Sequence, residues 1–197
     1  MKSNSSIEED IEAIAKHAAK KQEQFDLVMD ASRSIIRESG RIITMLHNGM
    51  LEQSKPMIKE LSKKVAKLSS IDKGFEFHSL QAYQEYAEAM IMYGIKERGS
   101  IIGMKDLEVP SEAYLFGLMD VVGELKREVL EALRSGNISK AESYFDMMKN
   151  IYDSTRHLRF AEAVMPGFRK KQDTARIQIE NSGSEILMFK SVRRPLR

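Results

Sequence analysis

The first 47 residues carry the feature that most restricts the fold, because apolar or small side chains recur there at helical spacing without a break. Asn48 and Gly49 end the pattern. A helix of this length spans roughly 60 Å at about 1.5 Å per residue. That exceeds the width of a compact domain of 197 residues. We therefore expect the helix to cross another subunit or to flank a long bundle. The recurring positions are Ile11, Ile14, Ala18, Phe25, Val28, Met29, Ser32, Ile35, Ile36, Ile42, Ile43 and Leu46.

The rest of the chain also has helical periodicity, and no segment shows convincing strand alternation. Further helices are predicted at about residues 55–70, 72–98, 111–134, 138–164 and 168–189, with a bend in the fifth near residues 156–159. The fold class is therefore all-α, in a single domain over residues 1–197.

Composition excludes several classes of function. The sequence has no cysteine, so a disulfide framework, a thiolate metal site and a cysteine nucleophile are ruled out. No apolar run approaches the ~20 residues of a membrane span, and the first residues lack the apolar core of a signal peptide. We therefore expect no membrane partner and a cytoplasmic location. The net charge of +2 is too small to require a nucleic-acid partner by itself. A Gly-rich phosphate loop is also missing.

The third predicted helix has two carboxylates near its apolar face. Glu85 and Glu88 are three residues apart and point in the same direction. Glu88 lies at the border of the apolar arc. Neither has a lysine or arginine three or four residues away that could neutralise it.

The fourth predicted helix repeats this arrangement. Asp120 and Glu124 are four residues apart on one side of the helix. Gly117 and Gly123 lie on either side of them, and each costs about 1 kcal/mol relative to alanine in a helix interior. We expect these glycines to admit another backbone or a ligand beside the two acids.

Four carboxylates that converge from two helices cannot all stay ionised without a cation. Oxygen ligands favour hard ions such as Mg²⁺, with Mn²⁺ as a substitute. A di-iron bundle would need Glu-x-x-His motifs, and no histidine here follows a glutamate by three residues. The pattern therefore points to a helical Mg²⁺-dependent phosphodiesterase, in which the metal activates water. The alternative, two solvated acid pairs without a ligand, stays open on spacing alone.

Two segments resemble the translin family. They are LQAYQEYAEA in the third helix and YLFGLMDVVGELKR in the fourth. The resemblance extends over nearly the whole chain and is strongest to the catalytic branch, translin-associated factor X. Asp120 matters here, because plain translin subunits have Glu at that position. The linker at residues 99–110 is shorter than in animal catalytic subunits, and no N-terminal nuclear-localisation cluster is present, which indicates a minimal member of archaeal or prokaryotic type.

The resemblance implies a fold of about seven helices and a closed, barrel-like homo-oligomer, as an octamer. It implies that Glu85, Glu88, Asp120 and Glu124 are catalytic and hold Mg²⁺. It also implies endonucleolytic cleavage of single-stranded RNA, with single-stranded DNA as a further candidate ligand.

A polyanionic substrate needs cationic contacts. Arg33, Arg37 and Arg41 form a stripe on the first helix, and Arg127 follows Glu124 by three residues. His78 precedes the glutamate pair and offers a ring for base stacking. The candidate RNA-binding residues are Arg33, Arg37, Arg41, His78, Arg127, Arg169, Lys170, Lys171 and Arg176. Exposed charge or a salt bridge is the alternative for each of them.

Two other functions remain open at this point. One is a non-catalytic scaffold that binds single-stranded RNA or DNA, as plain translin does, and Asp120 argues against it. The other is a helical adaptor without a nucleic-acid ligand. Salt-dependent RNA retention separates the adaptor from the other two, and Mg²⁺-dependent cleavage separates the enzyme from the scaffold.

Overall fold

A computed structural model describes residues 3–192 of the chain and the side chains of residues 6–191. Within these residues the structure contains helices and connecting loops and no strand, which confirms the all-α prediction. The helices are α1 (Ser3–His47), α2 (Leu51–Ile71), α3 (Glu76–Arg98), α4 (Met104–Leu107), α5 (Ser111–Arg134), α6 (Ile138–Thr155) and α7 (Phe168–Val192).

The helix α3 lies at the centre of the bundle. It packs against α1 on one side and α5 on the other, with a smaller contact to α2. The helix α5 in turn packs against α6 and α7, and α6 packs against α7. Because neighbours cover α3 on opposite sides, its buried residues include Ala82, Tyr86, Ala89 and Met92 as well as Tyr83, Ala87, Ile91, Gly94 and Ile95 of the apolar face. This arrangement buries Glu88 inside the bundle and leaves Glu85 half-buried beside it.

The first helix has the predicted length and end. It is 45 residues long, and Gly49 follows it in the left-handed region at a φ of 73°. Only its second half packs against the bundle. From Glu8 to Glu23 every side chain is exposed, and Ile7, Ile11 and Ile14 are 58%, 59% and 62% exposed.

Two predicted helix ends were wrong, and side-chain contacts explain both. The third helix begins at Glu76 rather than near Asp72. Asp72 instead lies buried after α2 and accepts hydrogen bonds from the hydroxyls of Ser79 (2.6 Å) and Tyr83 (2.8 Å). The fifth predicted helix ends at Thr155 instead of continuing to about residue 164. The buried amide of Gln172 donates to the carbonyl of Thr155 at 2.8 Å, which satisfies a carbonyl at the end of that helix.

Smaller differences concern α2 and the loop after α3. The second helix begins at Leu51, before the predicted residue 55, so Pro56 lies inside it rather than in its first turn. The loop at residues 99–110 contains the short helix α4. None of the helices in residues 3–192 is long and apolar enough to cross a membrane.

Candidate functional site

The contact between α3 and α5 brings the two acid pairs together. A Cβ atom at Gly117 would lie only 2.6 Å from the carbonyl oxygen of Gln84 and 3.0 Å from the backbone nitrogen of Glu88. Any larger residue at Gly117 would therefore force the two helices apart at this point. We expected Gly117 to admit another backbone beside the acids, and in the structure the backbone of α3 lies against it. Gly123 instead faces the side chain of Gln178 on α7.

The acidic cluster, defined here as Glu85, Glu88, Asp120 and Glu124, shares one electrostatic environment. Glu88 is only 8% exposed. Burial, and then the charges of Asp120 and Glu85, raise the pKa of Glu88 to about 8. Burial and the charge of Asp120 also raise the pKa of Glu85. Glu124 acts on both carboxyls in the same direction. Burial and the charge of its neighbours therefore both disfavour the ionised forms of Glu85 and Glu88 in the acidic cluster.

Asp120 uses both of its carboxylate oxygens within the protein. Its Oδ1 forms an ion pair with the Lys171 ammonium, which reaches it from α7. Its Oδ2 accepts a hydrogen bond of 2.6 Å from the amide of Gln84 on α3. The Lys171 Nζ also lies 5.7 Å from the centre of the Phe116 ring. Lys171 was predicted to contact RNA, and in this structure its ammonium pairs with Asp120 of the acidic cluster.

Glu124 is held by a histidine that the sequence analysis did not single out. The imidazole of His47, the last residue of α1, contacts Glu124 through Nε2 and Glu128 through Nδ1, the latter at 2.6 Å. Lys96 of α3 pairs with the other oxygen of Glu128 at 2.7 Å. Burial lowers the pKa of His47, but its hydrogen bonds with the two glutamates outweigh this and raise it. Burial likewise raises the pKa of Glu128, and His47 and Lys96 outweigh it and lower the pKa.

The spacing of Glu124 and Glu128 in the sequence could have indicated that Glu128 shares the face of the acidic cluster. Glu128 follows Glu124 by four residues, so it continues the row of Asp120 and Glu124 on α5. Arg127, which was expected on this face, is exposed and forms no ion pair with any residue whose side chain the structure describes. The partner His47 could not be chosen from spacing, because it lies 77 residues before Glu124.

The donors of the acidic cluster suit a hard cation, but their present arrangement is not a formed metal centre. All four side chains offer only carboxylate oxygen, the ligand type of Mg²⁺ and Mn²⁺. Within residues 3–192, no three histidine, aspartate or glutamate side chains lie close enough together to hold a metal ion. The ion pair of Asp120 with Lys171 and the contact of Glu124 with His47 engage two of the four carboxylates. The cluster therefore fits such a cation in chemistry, and the ion pair of Asp120 with Lys171 is the contact that opposes its binding.

A cleft between α5 and α7 opens beside Asp120. It has a volume of about 410 Å³ and is lined by Phe116, Met119, Asp120, Gly123, Pro166, Gly167, Lys170, Lys171, Thr174, Ala175 and Gln178. Its floor is apolar and its cationic groups come from the first turn of α7. Two predicted RNA-binding residues, Lys170 and Lys171, thus share a surface with one of the predicted catalytic acids.

The other candidate RNA-binding residues lie on exposed surfaces. Arg33, Arg37 and Arg41 are exposed on α1, and Arg33 pairs with Asp30 at 3.5 Å. Arg176 pairs with Glu180 on α7 at 2.9 Å.

His78 has an exposed ring in edge contact with Phe25, at 5.2 Å between ring centres, and with Phe75 and Phe77. Arg169 lies with Arg156 beside a small pocket near the end of α6. RNA contact by any of these residues stays a prediction.

Together, the fold and site define an all-helical bundle with a carboxylate cluster between its two central helices. Residues 23–182 match the model of the Translin family. The uncharacterized protein MJ0175 of Methanocaldococcus jannaschii is 31% identical over 185 residues, which cover 92% of this chain and 83% of that protein. The chain therefore belongs to the translin family.

Solved structures support the same fold. A complex of AfC3PO with duplex RNA superposes with a TM-score of 0.86 at 27% identity, covering 93% of this chain and 97% of that one. AfC3PO alone gives a TM-score of 0.83 at 28% identity, covering 93% and 98%. A structure of apo-NeC3PO gives a TM-score of 0.83 at 21% identity, covering 91% and 96%, and this likeness concerns the fold alone.

Proposed function

We propose that this protein is a metal-dependent endoribonuclease of the translin-associated factor X type, which binds RNA and cleaves single strands. The observation that supports this most is the acidic cluster, in which the carboxyl of Glu88 is buried and has a pKa of about 8. A purely structural cluster would be more stable with an amide or an apolar residue at that position. A divalent cation is the ligand that removes the excess charge.

The four carboxylates of the acidic cluster would hold Mg²⁺, or Mn²⁺ in its place. A cation held there supplies positive charge for the developing charge on a phosphodiester and favours deprotonation of an attacking water. The protein's own groups prepare this site. Gln84 orients Asp120 by donating to Oδ2, and His47 fixes Glu124 through its Nε2. Once ionised, the carboxylate of Glu88, buried beside these two acids, is a candidate to accept a proton.

Two observations favour RNA as the ligand. The family relationship includes AfC3PO, whose structure contains duplex RNA. In addition, the cleft beside Asp120 presents Lys170 and Lys171 next to the acids, so that cations for phosphate and carboxylates for a metal share one surface. Asp120 favours the catalytic branch over a translin-like scaffold, which remains the second candidate.

The test uses labelled single-stranded RNA, duplex RNA and single-stranded DNA of the same sequence, with Mg²⁺ or with EDTA. Wild type is compared with Glu124→Gln, and with Glu131→Gln as a control on an exposed side of α5. We expect Mg²⁺-dependent cleavage of single-stranded RNA that falls more than about 100-fold in Glu124→Gln, with RNA affinity and helicity unchanged. Glu131→Gln should cleave like wild type.

Three results would contradict parts of this proposal. Equal cleavage by Glu124→Gln and wild type would reject the acidic cluster as the catalytic site. Salt-dependent RNA binding without cleavage would favour the scaffold. No salt-dependent binding of any of the three nucleic acids would reject an RNA function altogether.

We also propose that the chain self-associates, as an octamer by the family resemblance. Ile7, Ile11 and Ile14 lie on one side of the exposed half of α1. Leu187 and Met188 near the end of α7 are 68% and 69% exposed. Exposed apolar seams of this kind are typical of surfaces that pack against another subunit.

A further inference from the structure

Lys171 is the lysine whose ammonium pairs with Asp120 in the acidic cluster. Its ammonium pairs with Oδ1 of Asp120, and the two side chains are only 28% and 27% exposed, so the pair is not a fully solvated surface contact. The charge of Lys171 also lowers the pKa of Glu85 and of Glu88, opposing the other acids. Neither of these glutamates forms an ion pair with another residue in the part of the chain whose side chains are described.

The position of Lys171 conflicts with metal binding at Asp120. One oxygen of this carboxylate is taken by the ammonium and the other by the Gln84 amide. An ammonium and a divalent cation repel each other, so the Lys171 ammonium at Oδ1 opposes the binding of a cation to the same carboxylate. Asp120 is therefore a better metal ligand once Lys171 moves away.

The cleft beside Asp120 gives the Lys171 side chain room to move away from this carboxylate. Lys171 lines the open cleft between α5 and α7, which has a volume of about 410 Å³. Its four-carbon side chain is flexible and ends in a compact charge, so it can change partners without a change in the helix. An anionic group in the cleft would give the ammonium a new counter-charge, and a phosphate of RNA has the required chemistry.

We propose that Lys171 is a cation that exchanges partners during the reaction. In the metal-free protein it neutralises Asp120, the divalent cation displaces it, and it then binds a phosphate of the RNA in the cleft. Metal and RNA binding are thereby coupled, because each ligand replaces one partner of the same ion pair. This inference rests on the proposed function and assigns Lys171 two alternating partners within it, Asp120 and a phosphate.

The first test measures Mn²⁺ binding by calorimetry without RNA, in wild type, Lys171→Gln and Lys171→Arg. Lys170→Gln is the matched control, since Lys170 lines the same cleft and has no ion pair with any described residue. Removal of the competing charge should tighten Mn²⁺ binding about tenfold in Lys171→Gln. Lys171→Arg should bind Mn²⁺ no more tightly than wild type, and Lys170→Gln should equal wild type.

The outcomes separate this inference from the proposed function. If wild type binds Mn²⁺ and Lys171→Gln binds it equally or more weakly while remaining helical, the exchange is refuted and the metal site stands. If wild type and all variants bind no Mn²⁺, the proposed function fails, and this inference fails with it.

A second test addresses the phosphate contact. The affinity for single-stranded RNA is measured against salt concentration with Mn²⁺ and with EDTA, at low temperature and with the RNA checked on a gel to be intact. Each lost phosphate contact reduces the log–log slope by about 0.7 for a single strand. We expect this reduction in Lys171→Gln only when Mn²⁺ is present, because in EDTA the wild-type ammonium is paired with Asp120. An equal slope for both proteins in Mn²⁺ would refute the phosphate contact.

Discussion

Replacement of Glu88 by glutamine should stabilise the metal-free protein at neutral and alkaline pH. The folded state raises the pKa of this carboxyl from an ordinary 4.5 to about 8, with burial as the first cause. Between these two values the unfolded chain has lost the proton and the folded chain still holds it. Stability must therefore fall as pH rises through this window, since the folded state binds more protons than the unfolded state.

The size of the effect follows from the same two values. Each pH unit inside the window lowers the free energy of unfolding by about 1.4 kcal/mol. From pH 5 to pH 7.5 the loss is up to about 3 kcal/mol, after partial ionisation at both ends is included. An amide at position 88 does not titrate, so Glu88→Gln should lack this part of the pH dependence. The variant should thus gain up to about 3 kcal/mol on wild type between the two pH values.

The assay is urea unfolding followed by circular dichroism, in EDTA and at one protomer concentration, because assembly would otherwise change the apparent stability. Glu23→Gln is the control, since Glu23 is exposed on the projecting half of α1. The reasoning predicts that Glu23→Gln follows the wild-type pH curve while Glu88→Gln diverges from it. Parallel curves for wild type and Glu88→Gln would show that Glu88 titrates normally and would refute the electrostatic account of the acidic cluster.

Two further predictions concern packing and assembly. Gly117→Ala should destabilise the fold by about 1–3 kcal/mol, because its Cβ would lie 2.6 Å from the Gln84 carbonyl. Gly123→Ala should be neutral or stabilising, since its Cβ would meet only the end of the Gln178 side chain at 3.3 Å. Equal urea midpoints for the two variants would contradict this prediction. Ile11→Glu should lower the mass measured by light scattering while monomer helicity is kept, and an unchanged mass would exclude this seam from the interface.

The sequence predicted what depends on short-range periodicity. The end of α1 and both ends of α5 agree with the structure, because glycine, proline and the 3.6-residue repeat act within a few residues. The pairing of Glu85 with Glu88 and of Asp120 with Glu124 follows from the same repeat. The approach of the two pairs depended on the resemblance to the family and on Gly117, whose missing Cβ allows the helix contact.

The contacts that bring distant segments together could not be predicted in this way. Lys171 is 51 residues from Asp120, and His47 is 77 residues from Glu124, so no helical spacing relates them. The depth of Glu88 was also misjudged, since the helix wheel placed it at the border of the apolar arc. It is buried because α1 and α5 cover α3 from opposite sides, which is a property of the bundle and not of α3 alone.

These observations favour a site that is destabilising without its ligand. At pH 7.5 Glu88 costs up to about 4 kcal/mol relative to a side chain that does not titrate, and about 3 kcal/mol of this develops above pH 5. A cation that binds only the folded state adds about 4.1 kcal/mol of stability at 1,000 times its dissociation constant, which is enough to offset that cost. Because burial raises the pKa of the Glu88 carboxyl to about 8, the proposed cation would displace the proton of Glu88 as well as Lys171. In the proposed function, the acidic cluster would therefore release one proton and one ammonium contact when it binds a single divalent cation.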